Sequence, residues 1–385
     1  MPIVLFDAHC HSNLYPLTYT KAVADLRIGI YTIKERWQQL LQQNVFVSTV
    51  HYLQKLYDAI PHGINCWMDA AVIADEQLIQ QVQQLKEGEA ICDEAGLIAA
   101  TVNAEKFADV AGLLTTTISI ENVKRVVYPF HIFSLNDEMI KRDFSLITAN
   151  KTSQQLSKTN RVVNPENIFI EEGASIEHAI INASAGPVYV GRNTTIMEGC
   201  FIRAPFAMHE GSVLKMGTKV YGATTLGPHC VAGGEIKNVV MQGYSNKAHD
   251  GYLGDSVIGE WCNFGAGSSN SNIKNTAGDV KVWRMHDNSY VNAGIKCGAV
   301  VGDYSRFAIN SSINTGSVVG VCCNVFGEGL LPKTINNFSW GVNGEGYEIE
   351  KCLRDINNWK QLKHQTLTEA EAEVLKHIFD ASIAQ

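Results

Sequence analysis

A six-residue repeat of apolar side chains in the second half is the strongest constraint on what this chain can fold into. Every sixth residue from Val190 to Ala232 is apolar, and the same period returns in two later runs. The three runs are Val190, Ile196, Ile202, Met208, Leu214, Val220, Leu226 and Ala232; Tyr252, Ile258 and Phe264; and Ile295, Val301, Phe307, Ile313, Val319 and Val325. A period of six fits neither an α-helix nor a long alternating strand.

This period fits a triangular coil in which each side is a short strand and each corner is a turn. One apolar residue on each side points inward, so stacked coils share a continuous core. We therefore predict a left-handed parallel β-helix over residues 164–332. The repeat loses its register after Lys237 and again between Asn270 and Gly294. We interpret these breaks as inserted segments, which in solenoids commonly build the binding face.

The flanking regions have different patterns. Strand-like segments at 4–6, 89–92 and 96–100 alternate with helical patterns at 28–41, 75–85 and 104–114, which predicts an α/β domain with a mainly parallel sheet over residues 1–150. Residues 151–163 are predicted to be a linker. Residues 333–385 are predicted to hold two helices, at 347–362 and 366–383, that cover the open end of the β-helix. Thr366 or Thr368 would cap the second helix.

Composition excludes several function classes. The net charge of -8 and the lack of basic runs argue against nucleic-acid binding. No stretch approaches the roughly 18 apolar residues of a membrane span, and the N-terminus lacks a signal-peptide pattern. The ten cysteines include no CxxC pair, so neither a disulfide framework nor a zinc site is indicated. We expect a cytoplasmic protein with buried free thiols.

Longer motifs carry a resemblance to a known family. They are YPLTYTKAVADLRIGI (15–30) with KERW (34–37) in the first half, and NKAHDGYLGD (246–255), GEWCNFGAG (259–267), NTGSVVG (314–320) and FSWG (338–341) in the second. In these the chain resembles the bifunctional uridyltransferase/acetyltransferase that makes UDP-N-acetylglucosamine. It resembles more closely a smaller, related group of sugar nucleotidyltransferases. The resemblance implies an acetyl-CoA-dependent acyltransferase in the β-helix and, from other hexapeptide proteins, a homotrimer with sites between subunits.

The resemblance also implies roles for individual residues of the second half. His249 matches the catalytic base, and histidine is suited to removing a proton near neutral pH. Lys237 matches a lysine that binds the substrate phosphate, and Ala266 a position whose backbone meets the acyl donor. The remaining substrate-side matches are Glu235, Tyr252, Asn263 and Asn272. The family's Asn-Tyr-Asp-Gly turn is replaced by Asn-Ile-Lys-Asn at 272–275, which changes the surroundings of the acyl acceptor.

For the first half, the resemblance implies transfer of a nucleotide from UTP or dTTP to a sugar-1-phosphate with the help of Mg²⁺. Lys21 and Arg27 are candidate phosphate contacts, and Asn65 is a candidate contact to the nucleotide or the metal. Lys21 and Arg27 could equally be solvated surface charges. The glycine-rich loop of nucleotidyltransferases has no counterpart in residues 7–13, which contain no glycine. This loss favours an alternative, a non-catalytic sugar-nucleotide-binding or assembly protein on a trimeric β-helix.

A histidine pair at His9 and His11 has the spacing of metal-dependent hydrolases. Those enzymes need further His and Asp ligands from a barrel of roughly 250 residues. His51 and His62 are the only other histidines near this segment in sequence, and they do not complete a set. The sequence therefore predicts no metal site here.

Overall fold

The computed structural model describes residues 1–7 and 10–383, which form two units. The first unit comprises Met1–Leu14, Thr20–Leu26 and Tyr31–Tyr128. The second comprises Tyr15–Tyr19, Arg27–Ile30 and the chain from Pro129 onward. The helix at Pro129–Thr148, which the predicted boundary at residue 150 assigns to the first domain, thus groups with the β-helix.

The first unit contains a six-stranded sheet of order β2-β1-β3-β5-β4-β6. Its strands are β1 (Ile3–Phe6), β2 (Val45–Ser48), β3 (Asn65–Asp69), β4 (Glu89–Asp93), β5 (Gly96–Val102) and β6 (Thr116–Ser119). β1 pairs in parallel with β2 and β3, and β4 with β6, but β5 is antiparallel to both its neighbours. Three of the five strand pairs are therefore parallel, as predicted, and β5 is the antiparallel exception, because the short turn between Asp93 and Gly96 can join only antiparallel strands.

Among the described residues of this unit there are five short helices: α1 (Cys10–Asn13), α2 (Ile33–Leu41), α3 (His51–Gln54), α4 (Glu76–Gln84) and α5 (Phe107–Val110). α4 confirms the pattern at 75–85, with Asp75 accepting a hydrogen bond from the Leu78 amide at 2.8 Å. The helix predicted over 28–41 begins only at Ile33, because Thr32 and Glu35 form a capping box there. The helix predicted over 104–114 is reduced to α5 and a 3₁₀ turn that contains Gly112, a poor helix former.

The second unit is a parallel β-helix of about ten turns. We call its three sides faces A, B and C. Face A contains Arg161–Val163, Ile180–Asn182, Phe201–Arg203, Lys219–Tyr221, the first halves of Glu235–Gly243 and Tyr252–Glu260, Ser269–Asn270 and Ser312–Ile313. Face B contains Ile168–Ile170, Val188–Val190, Phe206–Met208, Thr224–Leu226, the second halves of the two long strands, Ala299–Val301, Ser317–Val319 and Thr334–Ile335. Face C contains Ser175–Ile176, Thr195–Ile196, Val213–Leu214, Val231–Ala232, Asn246–Lys247, Asn263–Phe264, Arg306–Phe307, Asn324–Val325 and Ser339–Trp340.

The predicted apolar ladder forms the core of this coil. All eight members of the first run are buried. Two later members are not in the core. Tyr252 lies on the outside of face A while its neighbour Leu253 is buried, and Ile295 is 54% exposed in a segment that leaves the coil.

The two breaks in the repeat have opposite causes. Val231 lies 18 positions after its partner Val213, but Asn246 lies only 15 after its partner Val231. The first break is therefore a shortened coil, and the insertion predicted beside His249 is wrong. The second break is an insertion. It carries the antiparallel hairpin Lys281–Arg284 and Ser289–Asn292 and makes Asn263 the partner of Arg306.

The coil extends beyond the predicted limits of 164 and 332. The strand Arg161–Val163, inside the predicted linker, already pairs with Ile180–Asn182, and the last coil strand is Ser339–Trp340. Gln154 of the predicted linker donates its backbone N–H to the Ile170 carbonyl at 2.8 Å. This segment therefore packs on the first coil.

Face B is covered by a helix that the sequence analysis does not predict, α6 (Pro129–Thr148). Ile140 of α6 joins Phe169, Tyr189 and Ala207 of the coil in one buried cluster. Its buried positions Ile132, Asn136, Met139, Ile140 and Asp143 follow helical spacing, which is the signal that identifies it.

The C-terminal helices are α7 (Ile349–Gln361) and α8 (Glu369–Ile383), close to the predicted limits. They pack beside the corner between faces B and C rather than over the open end. Lys360 of α7 lies 5.5 Å from the Trp261 ring, and Phe379 of α8 packs edge-on against Phe338 with ring centroids 5.1 Å apart. The predicted end cap is therefore wrong, because the apolar faces of these helices meet the aromatic residues of this corner.

All ten cysteines are free, and all except Cys92 are buried, as expected. Within residues 1–7 and 10–383, no helix is both long enough and apolar enough to cross a membrane.

Candidate functional site

Face A places three of the predicted site residues on neighbouring strands. Glu235 is the register partner of Tyr252, and Lys237 is the partner of Gly254. The intervening Ile236 and Leu253 are buried, so the alternation of strand side chains directs the three site residues outward. A Cβ at Gly254 would lie 2.1 Å from the Tyr252 hydroxyl. The absence of a side chain at Gly254 therefore leaves room for the tyrosine ring to lie over its own strand.

Asn272 bonds Tyr252 directly and is itself held by the carboxylate of Asp255, which the sequence analysis does not identify. Asn272 donates from Nδ2 to Tyr252 Oη at 2.9 Å and also donates to Asp255, while Asn238 donates to Asp255 Oδ1 at 2.7 Å. Burial, Asp255 and Glu235 raise the pKa of Tyr252 to about 12. Its neutral hydroxyl can therefore donate a hydrogen bond to a ligand near neutral pH.

His249 lies at the tip of a turn between faces C and A. We call the line of these turns the C–A corner; it contains residues 215–218, 248–251, 265–268 and 308–311. His249 occupies the second position of its turn and is exposed, as are Met216 (71%) and Ile309 (70%) at the same position. The structure thus gives the candidate base access to a ligand.

Ala266 is the residue that follows His249 along this corner. Its turn is hydrogen-bonded to the next one, because the backbone N–H of Asn310 donates to the Ala266 carbonyl at 2.7 Å. Beyond it, Ile309 continues a line of exposed apolar side chains. Asn263 lies on face C, where it pairs with Asn246, so it is on the other side of the corner from Tyr252.

Lys247, directly before the His249 turn, points into the coil interior and was not predicted. It is 1% exposed, and its Nζ donates to the carbonyl of His249 at 2.6 Å and to that of Asp250 at 3.3 Å. Burial lowers the pKa of its amine to about 8, with Asp250 acting in the opposite direction.

Arg27, a candidate phosphate contact, is buried in the second unit. It is 5% exposed and belongs to the second unit, where its Nη1 donates to the Ile30 carbonyl at 2.5 Å and lies 3.1 Å from His209 Nε2. Its backbone N–H and carbonyl both bond the Gln242 side chain. Arg27 therefore fixes the segment 27–30 against face B, and the interpretation of Arg27 as a solvated surface charge is wrong.

Asn65 and Lys21 are also buried. Asn65 is 0% exposed, and its Nδ2 donates to the Pro61 carbonyl at 2.7 Å and to that of Gly63 at 3.2 Å. It braces the loop before β3, so the structure does not present it to a nucleotide. Lys21 is 7% exposed, which contradicts a solvated surface charge.

Buried carboxyls lie at the carboxyl ends of the parallel strands. Asp7 follows β1 and accepts hydrogen bonds from Thr49 at 2.5 Å and from the Val23 amide at 3.0 Å; burial raises its pKa to about 7. Asp69 ends β3 and pairs with Arg125 at 3.1 Å. The ends of parallel strands are where α/β sheets bind ligands, but here protein donors already engage both carboxyls.

Only one member of the histidine pair lies within the described ranges. His9 lies outside them. His11 is buried 3.7 Å from Asp7, and burial lowers its pKa to about 4. No group of three His, Cys, Asp or Glu residues suited to a metal ion occurs among residues 1–7 and 10–383.

A cavity of about 740 Å³ opens in the first unit where β2 ends. The ring of Phe107 stacks there on that of Phe6, with the ring centroids 4.0 Å apart. Tyr57 is held by the hydrogen bond that its hydroxyl donates to Asp25 at 2.5 Å. The lining is Ser48, Thr49, His51, Gln54, Lys55, Tyr57, Ala59, Ile60, Pro61, His62, Glu105, Lys106, Phe107 and Ala108. It contains two lysines, two histidines and one carboxylate.

Comparisons with known proteins agree with the two-part architecture. Residues 3–152 match the family model for sugar nucleotidyl transferases. A bifunctional GlmU protein from Methanococcus vannielii is 26% identical over 233 residues, which cover 58% of this chain and 47% of that protein. A bifunctional sugar-1-phosphate nucleotidylyltransferase/acetyltransferase from Sulfurisphaera tokodaii is 31% identical over 101 residues, covering 26% of this chain and 25% of that protein. These matches span less than half the length of either relative.

A crystal structure of the polySia-specific acetyltransferase NeuO matches 49% of this chain and 85% of that one. The identity is 12% and the TM-score 0.24, too low to add to the fold assignment.

Proposed function

We propose that the β-helix of this chain transfers an acyl group to an amino-sugar phosphate or to a nucleotide-linked amino sugar. The chain's relation to the GlmU group of sugar nucleotidyltransferases supports this proposal. The observation that carries this proposal is the placement of Glu235, Lys237 and Tyr252 on one outward surface of face A, next in the chain to the exposed His249 turn. An acidic, a basic and a hydroxyl side chain on one surface suit a phosphorylated sugar.

In the proposed reaction His249 accepts a proton from the substrate amine as its nitrogen attacks the thioester carbonyl carbon of acetyl-CoA. The tetrahedral intermediate collapses with cleavage of the C–S bond, and the departing thiolate takes up the proton. The products are the N-acetyl sugar and CoA. Lys237 pairs with the substrate phosphate, while Tyr252 and Asn272 bind its polar groups.

The C–A corner fits the acyl donor. Ala266 and Ile309 extend from His249 as small or apolar exposed residues along successive turns. Such a strip suits the largely apolar arm of a thioester cofactor, with the thioester carbonyl nearest His249.

For the first unit we propose nucleotidyl transfer from UTP or dTTP to a sugar-1-phosphate, with the triphosphate in the cavity beside β2. Because Lys21, Arg27 and Asn65 are buried, Lys55 and Lys106 of the cavity replace them as phosphate contacts. Mg²⁺ would neutralise the triphosphate. Asp7 and Asp69 are engaged by protein donors, so they do not offer an open ligand set for it, and the metal would arrive with the nucleotide.

We further propose that face A is the assembly surface of a homotrimer. Its outward side exposes three large apolar residues on the coils that precede the strands of Glu235 and Tyr252. Their exposed fractions are 43% for Ile180, 49% for Phe201 and 40% for Tyr221. A second copy packed on this surface would bury them and place the site between subunits. Light scattering at several concentrations measures the mass, and a monomer throughout would contradict this part.

The proposed function is tested with the full chain and a panel of substrates, using mass spectrometry of the products. One arm combines acetyl-CoA with amino-sugar-1-phosphates; the other combines UTP or dTTP with sugar-1-phosphates and Mg²⁺. We expect N-acetylated product in the first arm and nucleotide sugar with pyrophosphate in the second. Binding without product in either arm would contradict both activities and favour a non-catalytic sugar-nucleotide-binding protein.

A further inference from the structure

Lys247 is a charged residue at an inward position of an otherwise apolar ladder. Its register partner on the preceding coil is Ala232, and the next strand of face C carries Phe264 inward. Lysine is almost never fully buried unless its charge is paired or hydrogen-bonded. Its presence here therefore requires a partner within the coil.

The partners are two carbonyls of the His249 turn. Nζ lies 2.6 Å from the His249 carbonyl oxygen and 3.3 Å from that of Asp250. The strand that carries Lys247 is itself fixed, because the Gly233 amide donates to the Lys247 carbonyl at 2.7 Å. The ammonium group thus links a rigid strand to the turn that presents the candidate base.

Two other turns of the C–A corner are closed by a hydroxyl at the fourth position that donates to the carbonyl of the first residue, whereas Ser268 donates to Ala308 of the next turn. Thr218 Oγ1 donates to the Lys215 carbonyl at 2.5 Å, and Ser311 Oγ donates to the Ala308 carbonyl at 2.8 Å. In the turn of His249 the fourth residue is Gly251. A Cβ there would lie 2.1 Å from the Ser268 carbonyl oxygen, so no hydroxyl residue fits.

This exchange occurs directly after the shortened coil. Between Val231 and Asn246 three residues are missing relative to the 18-residue coils before it, and the turn that follows has lost its hydroxyl closure. We propose that Lys247 is the positioning residue of the acyl-transfer site: its buried ammonium holds the 248–251 turn and thereby fixes His249. The catalytic part of this inference rests on the proposed role of His249.

The first test measures the turn without any substrate. Hydrogen–deuterium exchange of full-length wild type is compared with that of K247M, which keeps side-chain length but has no donor. We expect at least tenfold faster exchange of amides in 248–252 and unchanged exchange on face B. K247Q keeps two shorter N–H donors and should give an intermediate rate. K360M removes another buried lysine, which pairs with Glu371 at 2.6 Å in the C-terminal helices, and should leave this turn unchanged.

The second test measures acetyl transfer from acetyl-CoA by the same variants. We expect kcat to fall at least tenfold in K247M with KM nearly unchanged, because a mobile base is misplaced in the transition state while the substrate contacts of face A remain. The double variant K247M/H249A should have nearly the same kcat as H249A alone. The proposal would be overturned if the amides of residues 248–252 exchanged at the wild-type rate in both K247M and K247Q. It would also be overturned if they exchanged faster while kcat stayed at the wild-type value.

The two failures can be told apart. Absence of acetyl transfer by the wild-type chain would contradict the proposed function itself. The exchange measurement needs no substrate and would still decide whether Lys247 holds the turn.

Discussion

Asp255 is the residue on which the polar side of the candidate site depends. Its carboxylate accepts from the amides of Asn238 and Asn272, and Asn272 in turn reaches Tyr252. D255N replaces an acceptor oxygen with a donor that faces those amides. We expect it to lower the free energy of unfolding by about 1–3 kcal/mol, measured by urea denaturation. D250N, at an exposed position of the His249 turn, should change it little, and equal stability of the two variants would contradict this role.

Lys247 gives a pH dependence whose sign is fixed by its burial. Its pKa is about 8 in the folded chain and 10.5 for the ordinary amine. Between these pH values the unfolded chain binds more protons, so the free-energy cost of burying this charge falls and the fold becomes more stable as pH rises. We expect the unfolding free energy of wild type minus that of K247M to increase from pH 8 to 10.5. A constant or falling difference would contradict the assignment.

The sequence predicts the functional residues that belong to a recognisable motif. It does not predict the residues whose role depends on how the chain packs. His249, Lys237 and Tyr252 stand in recognisable strings, and the structure presents them outward. The inward direction of Lys247 cannot be read from the repeat, because the shortened coil changes its phase there. The burial of Arg27 likewise depends on face B, far away in sequence.

At the scale of elements, the start of α8 tests which threonine caps it. Thr368 Oγ1 accepts from the Glu371 amide at 3.2 Å, and Glu371 Oε2 accepts from the Thr368 amide at 2.8 Å. This is a capping box, so T368A should lower the unfolding free energy by about 1 kcal/mol. T366A serves as the matched control and should lower it much less, as measured by thermal or urea unfolding. The reverse order would contradict the assigned cap.

Element types with strong local signals are predictable, whereas pairing is not. Asp75 with Leu78 and Val82 marks α4 by its cap and apolar spacing. The antiparallel place of β5 between β3 and β4 follows from a short turn and from contacts distant in sequence. α6 carries a helical pattern, but only the structure shows that its apolar side covers Phe169 and Tyr189 of face B.

At the scale of the whole molecule, the phase of the repeat decides which apolar residues hold the β-helix together. Ile313 and Ile295 belong to the same predicted run, yet Ile313 is buried and Ile295 is exposed. I313A should lower the unfolding free energy by about 2–5 kcal/mol. I295A should stay within about 0.5 kcal/mol of wild type. Comparable losses in urea unfolding would contradict the observed phase.

The central claim is that the β-helix transfers an acyl group with His249 as its base. It is tested most directly by single-turnover acetyl transfer from acetyl-CoA to an amino-sugar-1-phosphate, comparing wild type with H249A and H178A. His178 is the matched control, because it is an exposed histidine in an earlier turn between faces C and A. We predict acetylated product from wild type and H178A, and a rate at least 100-fold lower from H249A, in line with the roughly 10²–10⁴-fold contribution of general-base catalysis. Equal rates for wild type and H249A would contradict the claim.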